Sequence, residues 1–163
     1  MKFATAFLLT IAALASLPAL AEPPQYRHWT VNAPAMCHPA LPRYDGDVRK
    51  RPLAVVNEGT APAFVTCSLP IDMANTNGIE VAYIVLHNMG SGPATIACTG
   101  VYGAENGQQD YVTTSIELDA GQRRRLELVA ENFGRVQLRN RIGFSCRLPV
   151  MTGVNEIGTE EKL

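Results

Sequence analysis

A six-residue pattern occurs twice in this chain, and both copies resemble the end of a β-strand. Residues 65–70 are VTCSLP and residues 144–149 are FSCRLP. Residues two apart on a strand point to the same face, so each cysteine shares a face with the apolar residue before it and the leucine after it. The proline then ends strand pairing, because it has no N–H to donate. Both copies therefore predict a core-facing cysteine near the end of a buried strand.

Short apolar runs bounded by Gly, Pro, Asn or Asp continue along the chain. The predicted strands cover residues 53–57, 63–69, 79–87, 94–102, 111–118, 123–129, 135–139 and 142–148. None of these runs has the periodicity of an amphipathic helix. Residues 118–122, LDAGQ, lie between two runs and predict a hairpin turn. Together these features predict an all-β fold, a single antiparallel β-sandwich or jelly-roll-like domain.

Three segments lie outside this predicted sandwich, to which we assign residues 48–150. Residues 1–21 combine one lysine, an apolar run and an A-x-A processing site, which are the features of a secretory signal peptide. Residues 22–47 are rich in proline and predict an extended N-terminal arm. Residues 151–163 predict a polar tail, in which Val154 and Ile157 cover an edge strand and the residues after Gly158 are disordered. The expected location is the periplasm or the medium.

The chain has four cysteines, which in an exported protein of this size favour two disulfides. They are Cys37, Cys67, Cys98 and Cys146. The absence of a C-x-x-C motif argues against a thioredoxin-like site and against zinc, so we expect no metal and no cofactor. Four cysteines allow three pairings. We favour Cys37–Cys67, which ties the arm to a strand, and Cys98–Cys146, which joins two strands.

The order of these features resembles that of a broad group of uncharacterised secreted proteins of Gram-negative bacteria. The resemblance is carried by Cys37, VTCSLP at 65–70, TIAC at 95–98, FSCRLP at 144–149 and Ile157. It covers nearly the whole chain after residue 21, and it implies the four-cysteine strand pattern but no activity.

Arginines recur at odd positions towards the end of the chain. The even positions from 136 to 148 are mostly apolar, whereas the odd ones include Arg135, Arg139, Arg141 and Arg147. If the strand phase persists through Asn140, one face is core and the other is a strip of guanidinium groups, which Arg123 and Arg125 extend. Such a strip favours bidentate binding of phosphate, sulfate or carboxylate. The alternative is a solvated face that discourages edge pairing.

Bulk charge and catalytic motifs narrow the function further. Without residues 1–21 the chain loses one of its 14 basic residues and none of its 15 acidic residues, which leaves a formal charge of −2. This balance argues against a nucleic-acid partner. No serine lies in a G-x-S-x-G motif.

A second candidate surface, beside the arginines, consists of Tyr26, His28 and Trp29, whose rings can stack on a ligand.

The sequence therefore favours a non-catalytic binding module. Its expected partner is an anionic polysaccharide, lipopolysaccharide or an envelope protein, bound through the arginine-rich face. Two alternatives remain open at this level: a secreted enzyme with an unidentified active site, and a structural subunit that exchanges its N-terminal arm with a neighbour.

Overall fold

A computed structural model describes residues 25–69, 78–103, 107–138 and 141–162. The strands are β1 (Tyr26–Asn32), β2 (Cys37–Pro39), β3 (Val48–Arg51), β4 (Ala54–Asn57), β5 (Ala63–Ser68), β6 (Ile79–Asn88), β7 (Ala94–Gly103), β8 (Gln109–Leu118), β9 (Arg123–Val129), β10 (Arg141–Leu148) and β11 (Thr152–Lys162). The helix α1 (Ala33–Met36) joins β1 to β2, and single 3₁₀ turns cover Pro42–Tyr44 and Ala130–Phe133. The predicted signal peptide, residues 1–21, lies outside the described residues. Within these ranges no helix has the length and apolar character needed to cross a membrane.

The strands form two antiparallel sheets that pack face to face. The six-stranded sheet has the order β3-β4-β11-β6-β9, and β1 pairs with β11 on the same edge as β4. The five-stranded sheet has the order β2-β5-β10-β7-β8. Fully buried side chains from both sheets, among them Ile84, Ile96, Phe144 and Ile157, fill the space between them. The predicted antiparallel β-sandwich is therefore confirmed.

Both predicted disulfides are present. Cys37–Cys67 joins β2 to β5, and Cys98–Cys146 joins β7 to β10. In each case the two cysteines lie directly opposite each other in neighbouring strands, on the core face. Both bonds therefore cross-link the five-stranded sheet within itself, and neither reaches the six-stranded sheet.

The C-terminal segment is not the tail that the sequence predicted. It forms β11, which pairs with β6 on one edge and with β4 and β1 on the other. The expected disorder after Gly158 is wrong up to Lys162, because these residues continue the strand and Thr159 is fully buried. A β-bulge between Val154 and Glu156 shifts the alternation, so Val154 and Ile157 both face the core although they are three residues apart. The bulge hides the period of two on which the prediction depended.

Three other features also differ from the sequence prediction. The N-terminal arm contributes β1 and β2, so the sandwich extends well before residue 48. Residues 118–122 form a turn in which Gly121 has a φ of 74°, but β8 and β9 lie in different sheets, so this turn connects the sheets and closes no hairpin. The strand expected at 135–139 is reduced, among the described residues, to an isolated bridge between Leu138 and Ile79.

Candidate binding groove on the six-stranded sheet

The outer face of the six-stranded sheet is set by the alternation of β6. Ile84 and Leu86 face the core, so Tyr83, Val85 and His87 point outwards. The register places His87 between Gly153 of β11 and Arg123 of β9. His87 and Arg123 are therefore neighbours on one face, although the sequence separates them widely.

A groove of about 500 Å³ lies at the end of this face where His87 stands. Leu53, from the turn between β3 and β4, and Met89, which follows β6, give it exposed apolar surface. Arg51, Arg123, His87 and Asn155 supply its main polar groups. The groove thus combines apolar surface with a few convergent polar side chains, which is the usual composition of a ligand site.

His87 is only 6% exposed, because its ring lies against the sheet. A Cβ atom at position 153 would stand 2.9 Å from the His87 Cε1 and 2.5 Å from the carbonyl oxygen of Val55. Gly153 therefore leaves the space that the imidazole occupies. Burial lowers the pKa of His87, and the charge of Arg123 lowers it further, whereas the Asn155 amide opposes this shift. The imidazole is accordingly neutral at neutral pH.

Asn155 is aimed into the groove by the bulge of β11, where one extra residue re-orients a side chain. Its Nδ2 donates a hydrogen bond to the carbonyl oxygen of Leu53 at 3.2 Å. Its Oδ1 and the Nδ1 of His87 are both buried, and neither makes a well-aligned hydrogen bond in the described part of the chain, although the Asn155 amide is close enough to the imidazole to act on its pKa. An unsatisfied buried polar atom costs about 1–3 kcal/mol, so such atoms call for an explanation such as a bound ligand.

The two arginines of the groove are in different electrostatic situations. Arg51 forms a bidentate ion pair with Glu58, in which its Nε and its Nη2 donate hydrogen bonds of 2.7 Å and 2.6 Å to the two carboxylate oxygens. Arg123 forms no ion pair with any residue that the structure describes. Its guanidinium is therefore available to an anionic group.

Arg125, two residues along β9, is held within the protein instead. Its guanidinium lies 3.8 Å from the ring centroid of Tyr83. Its Nε is 2.7 Å from Glu127 and its Nη2 is 2.6 Å from Glu160. The hydroxyl of Tyr83 in turn forms a hydrogen bond of 2.5 Å with the side chain of Thr30 on β1. Arg125 thus links β9 to β11 and supports the attachment of β1.

The three aromatic candidates of β1 do not form one cluster. Tyr26 and His28 lie opposite Lys162 and Glu160, on the outer face, whereas Trp29 lies opposite Thr159 and points the other way. His28 Nδ1 is 3.5 Å from Glu160. The nearby carboxylate of Glu80 raises the pKa of Tyr26, with smaller contributions from burial and Glu160. This end of the sheet is therefore more acidic than the groove.

The remaining arginine candidates lie elsewhere, and the single predicted strip does not form. Arg141 and Arg147 are on β10, whose outer face belongs to the five-stranded sheet. Arg135 follows β9 and pairs with Asp110 at 2.7 Å. Arg139 lies outside the described residues. Because β9 and β10 belong to different sheets, their outward-facing arginines point to opposite sides of the sandwich.

Three polar residues of the groove were not predicted from the sequence as site residues: Arg51, His87 and Asn155. The strand predicted at 79–87 ends at His87, but nothing local in the sequence signals that Asn155 lies beside it. His87 and Asn155 come together only because β11 pairs with β6, which joins residues far apart in the chain.

Lowering the pH is expected to destabilise the protein in part through His87. The unfolded chain binds this proton near the ordinary pKa of about 6.5 and the folded chain only at lower pH, so stability is lost as the pH falls through that interval and is constant below it. We expect the urea midpoint of the wild type to fall more than that of His87→Gln between about pH 7.5 and pH 5. The control His38→Gln, at an exposed position, should keep the steeper dependence. Equal slopes for wild type and His87→Gln would contradict this assignment.

The chain matches no protein-family model and no curated protein. Among solved structures it is similar to the family 11 carbohydrate-binding module from Clostridium thermocellum in complex with a beta-1,3-1,4-mixed-linked tetrasaccharide, with a TM-score of 0.43 and 12% identity over 82% of this chain and 87% of that one. It is also similar to TmCBM61 in complex with beta-1,4-galactotriose, with a TM-score of 0.32 and 11% identity over 82% and 83% of the two chains.

Proposed function

We propose that this protein is an exported, non-catalytic β-sandwich that binds an anionic glycan in the groove formed by Arg123, His87 and Asn155. The observation that supports this most is the meeting of three groups in one groove. They are an arginine without an ion-pair partner among the described residues and two buried polar atoms, the Nδ1 of His87 and the Oδ1 of Asn155, that make no well-aligned hydrogen bond there.

A sugar that carries a carboxylate matches these groups in chemistry. Arg123 is suited to a bidentate hydrogen bond with the carboxylate. Sugar hydroxyls both donate and accept hydrogen bonds, so they fit the acceptor Oδ1 of Asn155 and the neutral imidazole of His87. Leu53 and Met89 offer apolar surface to the C–H face of the ring. A simple inorganic anion would use the arginine but leave the amide and apolar surface without a role.

The lining of the groove favours binding over catalysis. Among the described residues that line it there is no Asp, Glu, Ser, Cys or Lys. It therefore lacks the paired carboxylates of a glycoside hydrolase and a side chain suited to nucleophilic attack. A lone neutral histidine beside an amide is sufficient to hold a hydroxyl group.

Export is supported by the two disulfides, since such bonds persist in oxidising compartments and are rare in the cytosol. The predicted leader at residues 1–21 agrees with this placement, as does the resemblance to secreted proteins of Gram-negative bacteria.

The test compares Arg123→Gln with Arg147→Gln, which removes the same charge from the opposite side of the sandwich. Binding of the oxidised protein to polygalacturonate, lipopolysaccharide and an uncharged galactan is measured across a salt series. We expect salt-sensitive binding to an anionic glycan and none to the galactan. Loss of a charge-assisted hydrogen bond of about 1.5–3 kcal/mol predicts roughly 10- to 150-fold weaker binding for Arg123→Gln. Arg147→Gln should bind like the wild type.

Two results would overturn the proposal. If the wild type binds none of the anionic glycans, the groove is not a glycan site. If Arg147→Gln loses binding while Arg123→Gln keeps it, the site lies on the five-stranded sheet.

A further inference from the structure

The five-stranded sheet ends in a long strand whose outer edge pairs with no other described strand, although the 3₁₀ turn Ala130–Phe133 packs on it and Arg135 pairs with its Asp110. β8 pairs with β7 along its length and, in the part of the chain that the structure describes, with no other strand. Residues 111–116, YVTTSI, form its middle and carry no charge and no proline. Exposed edges of this kind are templates for pairing with another strand, because their outer N–H and C=O groups are unpaired.

The other described edges carry the features that prevent such pairing. β9 begins with three consecutive arginines, and β3 contains the sequence Arg-Lys-Arg. β1 also contains an arginine, and β2 has only three residues and ends in a proline. Charged, short or proline-containing edges discourage strand addition. β8 is the longest of these edges, and its two charged residues, Asp110 and Glu117, lie near its ends and leave the middle six residues uncharged.

The core-facing side of β8 is also incompletely covered. Val112 and Ile116 pack against the core but are only partly buried. They lie on the same side of the strand, two positions before and two positions after Thr114. Apolar residues placed symmetrically about a central residue can cover each other when the strand pairs antiparallel with its own copy.

We propose that β8 is an interface between two copies of this chain, paired antiparallel about Thr114. In this register Val112 of one copy lies opposite Ile116 of the other, twice by symmetry, and β-branched pairs of this kind stabilise a sheet. Thr114 lies opposite itself. Each five-stranded sheet continues into the other, and the unpaired backbone groups of both edges are satisfied.

The charges at the ends of β8 agree with this register. Asp110 lies opposite Leu118 of the other copy, and Glu117 lies opposite Tyr111, so no two acids meet. Pairing about Thr113 instead would set Asp110 against Ile116 and separate the two apolar residues. Pairing about Thr114 therefore matches the side chains of two copies better than pairing about Thr113.

The test uses the fact that Thr114 meets itself across the interface. Directly opposite Cβ atoms lie about 4.5–5.5 Å apart, so like charges there repel and opposite charges attract. We expect the wild type to dimerise in sedimentation velocity experiments at low ionic strength, and Thr114→Lys and Thr114→Glu to be folded monomers. An equimolar mixture of the two variants should restore the dimer. The control variants Thr66→Lys and Thr66→Glu, at an exposed position on the outer face of the same sheet, should dimerise like the wild type.

Three results would overturn the proposal. They are a wild type that stays monomeric at the highest attainable concentration, charge variants that remain dimeric, and folded variants whose mixture stays monomeric.

Should a charge variant fail to fold, oxidation of Thr114→Cys provides a second test. Opposed cysteines are close enough for a disulfide, so a covalent dimer is expected from Thr114→Cys and not from Thr113→Cys, which lies opposite Ser115. Absence of the Thr114→Cys cross-link would reject the register and the interface. The groove lies on the other sheet, so this outcome is independent of glycan binding.

Discussion

Replacing both Cys98 and Cys146 with alanine is expected to lower the free energy of unfolding by about 4 kcal/mol. The bond links residues 48 apart in sequence, so its loss frees a long loop in the unfolded chain, and the chain-entropy model gives about this value. The bond also joins two interior strands of the five-stranded sheet. Urea unfolding of the oxidised protein at fixed pH measures the change.

The matched control is the pair Cys37→Ala and Cys67→Ala. Its loop is shorter, with a separation of 30 residues, and the same model predicts a loss of about 3.6 kcal/mol. Both double variants should retain glycan binding at temperatures where they are folded, because neither bond touches the groove. A loss below about 1 kcal/mol for Cys98→Ala/Cys146→Ala would contradict the role of loop entropy here.

Replacing Gly158 with valine is expected to detach β1 from the six-stranded sheet. A Cβ atom at this position would overlap the carbonyl oxygen of Trp29 and the ring of Tyr83. The tyrosine ring lies against Gly158, the guanidinium of Arg125 stacks on it, and its hydroxyl is hydrogen-bonded to Thr30, so the ring has little freedom to move. The backbone oxygen belongs to the paired strand itself. Relief of the overlap therefore requires β1 to separate, with loss of its seven paired positions along β11.

We expect this variant to lose more than about 3 kcal/mol of stability, at the upper end of single-residue effects. Hydrogen exchange should show faster exchange of the amides of Tyr26–Asn32, whereas the amides of β10 keep their relative protection. The control is Gly92→Val, because a Cβ at Gly92 meets no atom within 4 Å. It should change stability by no more than about 0.5 kcal/mol. Unchanged protection of β1 in Gly158→Val would show that the overlap is relieved in another way.

The regular strands were predictable because their alternation is local. β5, β7 and β10 keep a strict period of two around their cysteines, so the core face could be inferred. The alternation left three disulfide pairings open, and the favoured one is present. β11 could not be recognised, because its bulge at Asn155 breaks the period between two runs of buried residues. A polar sequence with an interrupted period has the same appearance as a tail.

The candidate groove was less predictable, because it depends on which sheet each strand joins. Arg123 and Arg147 both lie on outward positions of strands, as the sequence indicated. Nothing local shows that β9 and β10 join different sheets, so the separation of these two arginines could not be inferred. Arg123 was a sequence candidate, whereas His87 and Asn155 join it only through the pairing of β6 with β9 and β11.

The pairing of β1 with β11 determines how the protein responds to mechanical tension. Tyr26 lies opposite Lys162, so a force applied between these two residues opens the ladder from one end, one pair at a time, and does not shear all pairs together. β1 has a neighbour on one edge only, whereas β11 has neighbours on both, so β1 peels away first. Peeling then reaches Cys37, where the bond to Cys67 transfers the force to the five-stranded sheet. The groove is built from other strands and keeps its shape through this first, low-force step.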